Sequence, residues 1–275
     1  MSYKDILLLL DDGKTNSARI RAGVSIAVCH DASLTGVALG SMKPVHAPAT
    51  GKQAVAGLSQ QMAERLTAEF IAEANEAGLE SSSLTIFGDA TASGEKLAHY
   101  ARNFDLIILI QPNPAQDNYE WLLEVARQVM LLSGRPIFFM PYVGANKIPI
   151  KHVMIAWDGT PAVSRAVHDA IPIMRYAEDV IILVVESKKQ KAQKKEVLVD
   201  GLLTHLSHHD INARIQRINP GENSVTTVIQ NQISDNDIDM LVMGGHGTPT
   251  FKQKIFGTVT ANLLSSMPVP VIMSD

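Results

Sequence analysis

The chain has 275 residues, of which 46% are hydrophobic and 19% charged, and its formal net charge is −4. This length and composition indicate a packed protein of one large or two ordinary domains, and they exclude a disordered chain. A charge so close to neutral gives no general electrostatic reason to expect nucleic acid or an anionic membrane as a partner.

Cysteine usage and the apolar runs predict a cytoplasmic protein without disulfides or membrane spans. The single cysteine, Cys29, cannot form an internal disulfide, and the N-terminus lacks the charged-then-apolar pattern of a signal peptide. The longest apolar run, from Phe104 to Ile110, is too short for a bilayer, which needs roughly 20 residues. Cys29 follows Ile26 on the predicted first helix, and this spacing predicts a small buried side chain rather than a nucleophile.

Short apolar runs alternate with helical patterns, which predicts strand–helix–strand units and a parallel sheet covered on both faces. In the first half the predicted strands lie near 5–10, 34–39, 83–87, 105–110 and 136–140. In the second half they lie near 152–157, 180–185, 211–218, 238–243 and 269–273. The predicted helices between the latter lie near 161–176, 189–208, 222–234 and 257–266.

The two halves repeat one pattern. Lys4–Asp11 and Lys151–Asp158 are both apolar strands that end in aspartate, and these aspartates are 147 positions apart. Asp105 and Asp239 begin a second pair of matching apolar runs, but they are only 134 positions apart. The first half therefore carries 13 extra residues, which the prolines and glycine of 41–51 place in an irregular loop.

The predicted architecture is two tandem doubly wound α/β domains, each a five-stranded parallel sheet with helices on both faces. The predicted joint between the two domains lies at 142–149, so the predicted domains are 1–143 and 150–275. In such sheets ligands bind beyond the carboxyl ends of the strands, where the strand order switches. Residues that bind a ligand are therefore expected at the ends of these strands.

The segment from Met243 to Thr258 places Gly244, Gly247 and Gly257 around a loop that runs from an apolar strand into a helix. Glycine lets backbone N–H groups approach an anion, and a helix N-terminus adds partial positive charge. Neither G-x-x-x-x-G-K-[ST] nor a G-x-G-x-x-G after a first strand occurs. The spacing of Gly, two residues, Gly, nine residues, Gly and Thr resembles the nucleotide-binding signature of the universal stress protein family.

This resemblance covers essentially the whole chain as a tandem pair, and it implies an ATP site, with Mg²⁺ as a companion ion, in the second half. In the family pattern Asp158 would face the ribose and phosphate region, Val185 would offer backbone groups to adenine, and the loop would wrap the phosphates. The nucleotide-binding residues so implied are Ala156, Asp158, Val185, Gly244, His246, Gly247, Gly257, Thr258 and Val259. No catalytic residue and no metal ligand are assigned.

Several of these residues also have simpler explanations. An ordinary strand-to-helix loop accounts for the glycines, and Asp158 could be merely the N-cap of the helix that begins near Pro161. Trp157 is better explained by packing than by base stacking. An exposed loop position accounts for His246.

The first half lacks this signature. At the 134-residue offset, the counterparts of Gly244, Gly247, Gly257 and Thr258 are Ile110, Asn113, Leu123 and Glu124. Pro112 and Pro114 have no amide proton to donate, and Glu124 would oppose the charge of a phosphate. The first half is therefore predicted to bind no ATP in this way and to serve as a structural partner.

The resemblance also implies partners and activities. Family domains pair through their last strands, so 136–140 and 269–273 are candidate edges for an intramolecular pseudo-dimer or a homodimer. The leading hypothesis is a stress-related, nucleotide-responsive binding module. The alternatives are a slow ATPase or autophosphorylating enzyme, with Thr258 or Thr260 as acceptor, and a nucleotide-free dimerisation scaffold.

Two further clusters have open interpretations. His205 and His209 are four apart on one face of a predicted helix, where they could bind a metal or simply form a polar helix end. The lysine-rich run 188–195 indicates a solvated helix start rather than a nucleic-acid site, because no aromatic residues are interleaved with it.

Overall fold

The computed structural model describes residues 2–40, 58–142, 148–186, 199–245 and 266–275. The chain divides into two compact units, residues 2–142 and 143–275. In the described residues each unit contains a five-stranded parallel sheet with helices between its strands, which confirms the predicted α/β class. Within the described residues, no helix is both long and apolar enough to cross a membrane.

All ten predicted strands occur, each within two residues of its predicted bounds. The first unit consists of β1 (Asp5–Leu10), α1 (Asn16–His30), β2 (Ser33–Gly40), α2 (Gln60–Glu76), β3 (Ser81–Phe87), α3 (Ala90–Ala101), β4 (Leu106–Ile110), α4 (Tyr119–Leu132) and β5 (Ile137–Met140). The second unit consists of β6 (His152–Ala156), α5 (Pro161–Met174), β7 (Asp179–Val185), α6 (Asp200–Ser207), β8 (Ala213–Ile218), α7 (Val225–Asp235), β9 (Met240–Gly244) and β10 (Val271–Ser274).

The two sheets have the same strand order. It is β3-β2-β1-β4-β5 in the first unit, and β8-β7-β6-β9-β10 in the second. The first strand of each unit therefore lies between the second and the fourth strands of that unit, with parallel pairing on both sides. The order switches there, so the carboxyl ends of β1 with β4, and of β6 with β9, are where a ligand crevice is expected.

Burial along the strands follows their composition. β4 is buried at every position and β1 at every position but its first, as expected for apolar strands covered on both faces. β3 and β8, the outer strands beside β2 and β7, contain serine, arginine and glutamine and are largely half-exposed or exposed. Polar residues on such edges limit unwanted strand pairing.

The 13 extra residues of the first unit lie between its second and third strands. The connection from Gly40 to Ser81 covers 41 positions, against 28 from Val185 to Ala213 in the second unit. The predicted irregular loop at 41–51 is in this connection but lies outside the described residues. Residues 143–147 of the predicted joint, the first half of the helix predicted at 189–208 and nearly all of the helix predicted at 257–266 also lie outside them. The second half of the helix predicted at 189–208 occurs as α6.

The repeated aspartates Asp105 and Asp239 have the same structural role. Asp105 Oδ2 accepts hydrogen bonds from the two amides of residues 4–5, at 2.7 and 3.2 Å. Asp239 Oδ2 accepts from the two amides of residues 151–152, both at 3.0 Å. In each unit this carboxylate ties the start of the first strand to the start of the fourth.

The prediction that Cys29 is buried is wrong, because its side chain is exposed. Apolar residues lie on all sides of α1, so the sequence pattern does not distinguish its inner face from its outer face. The adjacent Val28 is 52% exposed, whereas Ile26, Ala27 and His30 turn towards the core. The inner face of α1 is thus set by tertiary packing rather than by its apolar periodicity.

Candidate functional site

The carboxyl ends of β6 and β9 lie side by side, because Ile155 is in register with Val242. Asp158 follows the end of β6, and Gly244 ends β9. On the other side of β6, Ala156 is in register with Leu183 of β7, which ends two residues later at Val185. Four members of the predicted site are described, and all four lie at the carboxyl ends of these strands: Ala156, Asp158, Val185 and Gly244. The other five, His246, Gly247, Gly257, Thr258 and Val259, lie outside the described residues.

Asp158 is exposed, and one of its carboxylate oxygens holds the turn that follows. Oδ1 accepts hydrogen bonds from the backbone N of Thr160 at 3.0 Å and from its Oγ1 at 2.7 Å. Oδ2 accepts no hydrogen bond from any described residue, so it can accept one from a ligand hydroxyl. The N-cap alternative for Asp158 is wrong, because Thr160 is the N-cap of α5 and accepts from Val163 N.

The backbone of Val185 faces the space beyond the end of β6. Trp157 N donates to Leu183 O at 2.9 Å, and Glu186 N donates to Ile218 O on the opposite side of the strand at 2.9 Å. Backbone groups alternate between the two sides of a strand, so the N–H and C=O of Val185 point to the same side as those of Leu183. The edge of a planar base could form hydrogen bonds with the N–H and C=O of Val185.

Gly244 is required by packing. A Cβ at this position would lie 2.8 Å from the backbone N of Val163 and 3.0 Å from the Cβ of Ala162. Only glycine lets the end of β9 approach the first turn of α5 so closely. The adjacent Gly245 donates from its N to Ser274 O at 2.8 Å. Helix packing therefore accounts for the first glycine of the signature without any ligand.

Asp11, the counterpart of Asp158 in the first unit, is part of a buried ion pair. Asp11 Oδ1 accepts from Gly13 N at 2.5 Å, which forms the same turn as at Asp158. Asp11 Oδ2, however, forms a short ion pair with Arg19, whose side chain is 1% exposed. Arg19 also donates to Thr15 Oγ1 at 2.6 Å. Burial lowers the pKa of Arg19 and Asp11 opposes this shift, so the guanidinium remains charged.

Gln111 occupies the end of β4 in the first unit, where the second unit has Gly245. The backbone N of Gln111 donates to Met140 O at 2.8 Å, as Gly245 N does to Ser274 O. Gln111 is fully buried, and its side-chain Oε1 accepts from Tyr142 N at 3.2 Å. Gln111 thus has a buried side chain at the position where the second unit has none.

Glu124, the counterpart of Thr258, lies in α4 rather than at a helix N-terminus. It accepts hydrogen bonds from Arg127 at 2.6 Å, from Gln128 at 2.8 Å and from Thr91 of α3 at 3.3 Å. The hydrogen bond from the Arg127 guanidinium lowers the pKa of the Glu124 carboxyl. Glu124 therefore stays ionised and links α3 to α4, and its charge is largely neutralised within the first unit.

Sequence reasoning did not identify Arg19 or Gln111. A charged residue near the start of an apolar helix is an available signal for Arg19, but the same pattern fits an exposed side chain. Within the described residues, no group of three or more histidine, cysteine, aspartate or glutamate side chains is arranged to hold a metal ion. The lysine-rich run 188–195 lies outside those residues.

Comparisons with known proteins agree with this geometry. The model of the universal stress protein family matches residues 149–274. A universal stress protein from Archaeoglobus fulgidus has a similar structure, with a TM-score of 0.70 and 14% identity over 98% of this chain and 96% of that one. A putative universal stress protein from Pseudomonas aeruginosa gives 0.58 and 12%, over 98% and 92% of the two chains.

The same fold also occurs in a different setting. The cytoplasmic domain of a prokaryotic cation chloride cotransporter is similar over 98% of this chain and 95% of that one, with a TM-score of 0.54 and 11% identity. No curated protein compared with the chain matches it. At such identities a structural likeness establishes the fold alone. Residues 149–274 belong to the universal stress protein family, and the whole chain has the fold of the universal stress protein from Archaeoglobus fulgidus.

Proposed function

We propose that the second unit binds ATP where the strand order switches and that the first unit binds none, so that the chain acts as a nucleotide-responsive regulatory module. The observation that carries this proposal is the contrast between two equivalent aspartates. Asp158 is exposed with one oxygen available, whereas Asp11 is buried against Arg19. The proposed domains are 1–143 and 150–275.

The polar groups at the edge formed by β6, β7 and β9 suit an adenine nucleoside. Asp158 Oδ2 would accept a hydrogen bond from the ribose, and the backbone of Val185 would pair with the adenine edge. Gly244 and Gly245 contribute no side chains to the crevice. The predicted phosphate-binding loop begins directly after them, and backbone amides with a helix N-terminus would hold the phosphates. Mg²⁺ would accompany the triphosphate.

A nucleoside in the first unit would have to displace the ion pair of Asp11 with Arg19. Removing one partner from a buried pair typically costs about 3–5 kcal/mol. Nothing in the glycine-free segment after Ile110 would offset that cost. ATP in the second unit would instead favour one conformation of a surface used by partner proteins, provided that its affinity differs between the two conformations. Self-association through the last strands stays a prediction from the family resemblance.

Calorimetric titration of the nucleotide-stripped chain with ATP and Mg²⁺ tests the proposal. We expect one site per chain, lost in Gly257→Glu. The matched control is Leu123→Glu, the same substitution at the counterpart position of the first half, which should leave binding unchanged. Two sites would refute the assignment of the first unit as nucleotide-free. No binding to the wild-type chain would refute the ATP site and favour the scaffold alternative.

Replacing Asp158 tests the role of its carboxylate. Asp158→Ala should weaken ATP binding about tenfold, equivalent to about 1.4 kcal/mol for one lost hydrogen bond to a charged group. Asp31→Ala, at an exposed aspartate that pairs with Lys4 in the first unit, should leave the affinity unchanged. Product formation in the same samples, falling in Asp158→Ala while nucleotide stays bound, would support the slow-ATPase alternative instead.

A further inference from the structure

Three histidine rings from two parts of the second unit are packed together. His168 of α5 stacks on His205 of α6, with ring centroids 4.6 Å apart and planes inclined by 41°. His205 in turn meets His209, just beyond α6, at 4.8 Å and 67°. We call these three side chains the histidine cluster. Sequence spacing pairs His205 with His209, but only the tertiary structure adds His168.

The hydrogen bonding of His205 suits a neutral imidazole. His168 Nδ1 lies 2.8 Å from Ser164 O, to which it can donate as a neutral or a protonated ring. His205 Nε2 is buried and has no hydrogen-bond partner in the part of the chain that the structure describes. A buried ring nitrogen without an acceptor gives no compensation for an added positive charge.

The electrostatic surroundings of His205 also oppose its protonation. Burial lowers the pKa of His205, and the charges that His168, His209 and His208 acquire on protonation lower it further. The two charged residues of β8, which also packs against α6, are cations. Arg214 is bonded to Asp179 and Asn236, and the other cation is Arg217. Of the other charged groups of α5, Arg165 is bonded to the Asp275 carbonyl and Asp169 accepts from Ser274 Oγ. Arg175, the C-cap of α5, pairs with the exposed Asp210, which is the residue after His209.

Among the described residues, helix α6 packs on β8 and has few attachments to α5 besides the rings. It is eight residues long, and Leu206 is its one buried residue. Buried Val199 and Ile211 flank it on either side. The exposed ion pair between Arg175 and Asp210, at 3.5 Å, is expected to contribute little. The stacking of His205 between two other rings is therefore a substantial part of what holds α6 against α5.

We propose that the histidine cluster is a pH-sensitive contact, which holds α6 on α5 while its rings are neutral and releases α6 when they are protonated. A histidine that must stay neutral in the folded state contributes its full stability above its ordinary pKa of about 6.5, and that stability is lost as the pH falls below it. Acidification would thus change one surface of the second unit while its sheet stays intact.

Amide hydrogen exchange of the full chain at pH 7.5 and 5.5, in EDTA and corrected for intrinsic rates, tests this proposal. We expect the protection of α6 to fall at least tenfold at the lower pH. Helix α7 of the same unit contains no histidine and should keep its protection. Equal losses in both helices, or continued protection of α6 at pH 5.5, would overturn the proposal.

Variants identify the rings responsible. His205→Phe keeps an aromatic ring without a titrating group and should preserve α6 protection at pH 5.5. His168→Gln, which removes one neighbouring charge, should move the midpoint of the loss to lower pH, and it tests the proposal should His205→Phe not fold. His99→Gln, at an exposed histidine of α3, is the matched control and should behave as wild type. Wild-type behaviour of both cluster variants would also overturn the proposal.

Discussion

Asp11 and Asp158 end the first strand of their units in the same turn, yet one is buried in an ion pair and the other is exposed. Each accepts a hydrogen bond from the amide two residues later. The difference comes from Arg19, eight positions further along in α1, whose guanidinium takes the second oxygen of Asp11. A repeated motif can therefore lose its availability to a ligand while its own residues stay the same.

The two units also differ at the ends of β4 and β9, the strands beside β1 and β6. Ile110 and Gln111 end β4 in the first unit with two buried side chains, where the second unit has Gly244 and Gly245. In the first unit, buried side chains thus follow both β1 and β4, whereas the second unit has an exposed aspartate after β6 and two glycines at the end of β9. We infer that the first unit fills its crevice with its own side chains, which stabilises that unit.

The largest effect is expected from breaking the buried pair of the first unit. Arg19→Met leaves the Asp11 carboxylate buried without its partner and should reduce the free energy of unfolding by about 3–5 kcal/mol. Adding Asp11→Asn removes the unpaired charge and should restore much of this loss. Urea unfolding measures both variants, with exposed Arg165→Met as a control expected to change stability by about 0.5 kcal/mol or less. A double variant less stable than the single one would contradict the comparison.

In the second unit, Gly244→Ala tests the close approach of β9 to α5. The added Cβ meets the backbone N of Val163, which cannot move without shifting the helix. We expect a loss of about 1–3 kcal/mol by thermal or urea unfolding. Gly201→Ala is the control, because nothing lies within 4 Å of its added Cβ, and alanine in α6 should be neutral or stabilising. Equal effects at the two glycines would argue against the packing role.

The stability of the first unit should depend on pH through His30. Burial lowers the pKa of His30 to about 4, with a smaller contribution from Lys4. Its stabilising contribution is complete above about pH 6.5 and is lost as the pH falls towards about 4, by at most about 1.4 kcal/mol per pH unit. His30→Phe keeps the ring beside Tyr3 and should flatten this dependence in unfolding measurements at pH 7.5 and 5.0. Identical slopes for both proteins would contradict the assignment.

The smallest effect is expected at the cap that joins Asp158 to α5. Thr160→Ala removes the hydroxyl that caps α5 and donates to Asp158, and should cost about 1 kcal/mol of stability. Thr160→Ser retains the hydroxyl and should remain near wild type in a thermal melt. If the serine variant loses as much as the alanine variant, the cap does not stabilise α5.

Features that depend on local pattern were predictable from the sequence. Apolar runs located the strands, and the offset between repeated aspartates located the extra residues between β2 and β3. The turn at Asp158 followed from its position after a strand, but its exposure did not, because Asp11 has the same position and is buried. The burial of Arg19 could not be predicted, because Asp11 and Thr15 are close in sequence but the same spacing fits an exposed arginine. The third ring beside His205 depends on a contact between distant parts of the sequence. Cys29 was misassigned because α1 is apolar on all sides.

The central claim is that one chain contains one available and one filled crevice. Hydrogen exchange of the full chain with and without ATP and Mg²⁺ tests it most directly, by comparing peptides that cover residues 157–163 with those that cover 11–19. The account predicts that ATP slows exchange in the first set and leaves the second unchanged. Slowed exchange at 11–19, or binding that leaves 157–163 unaffected, would contradict it.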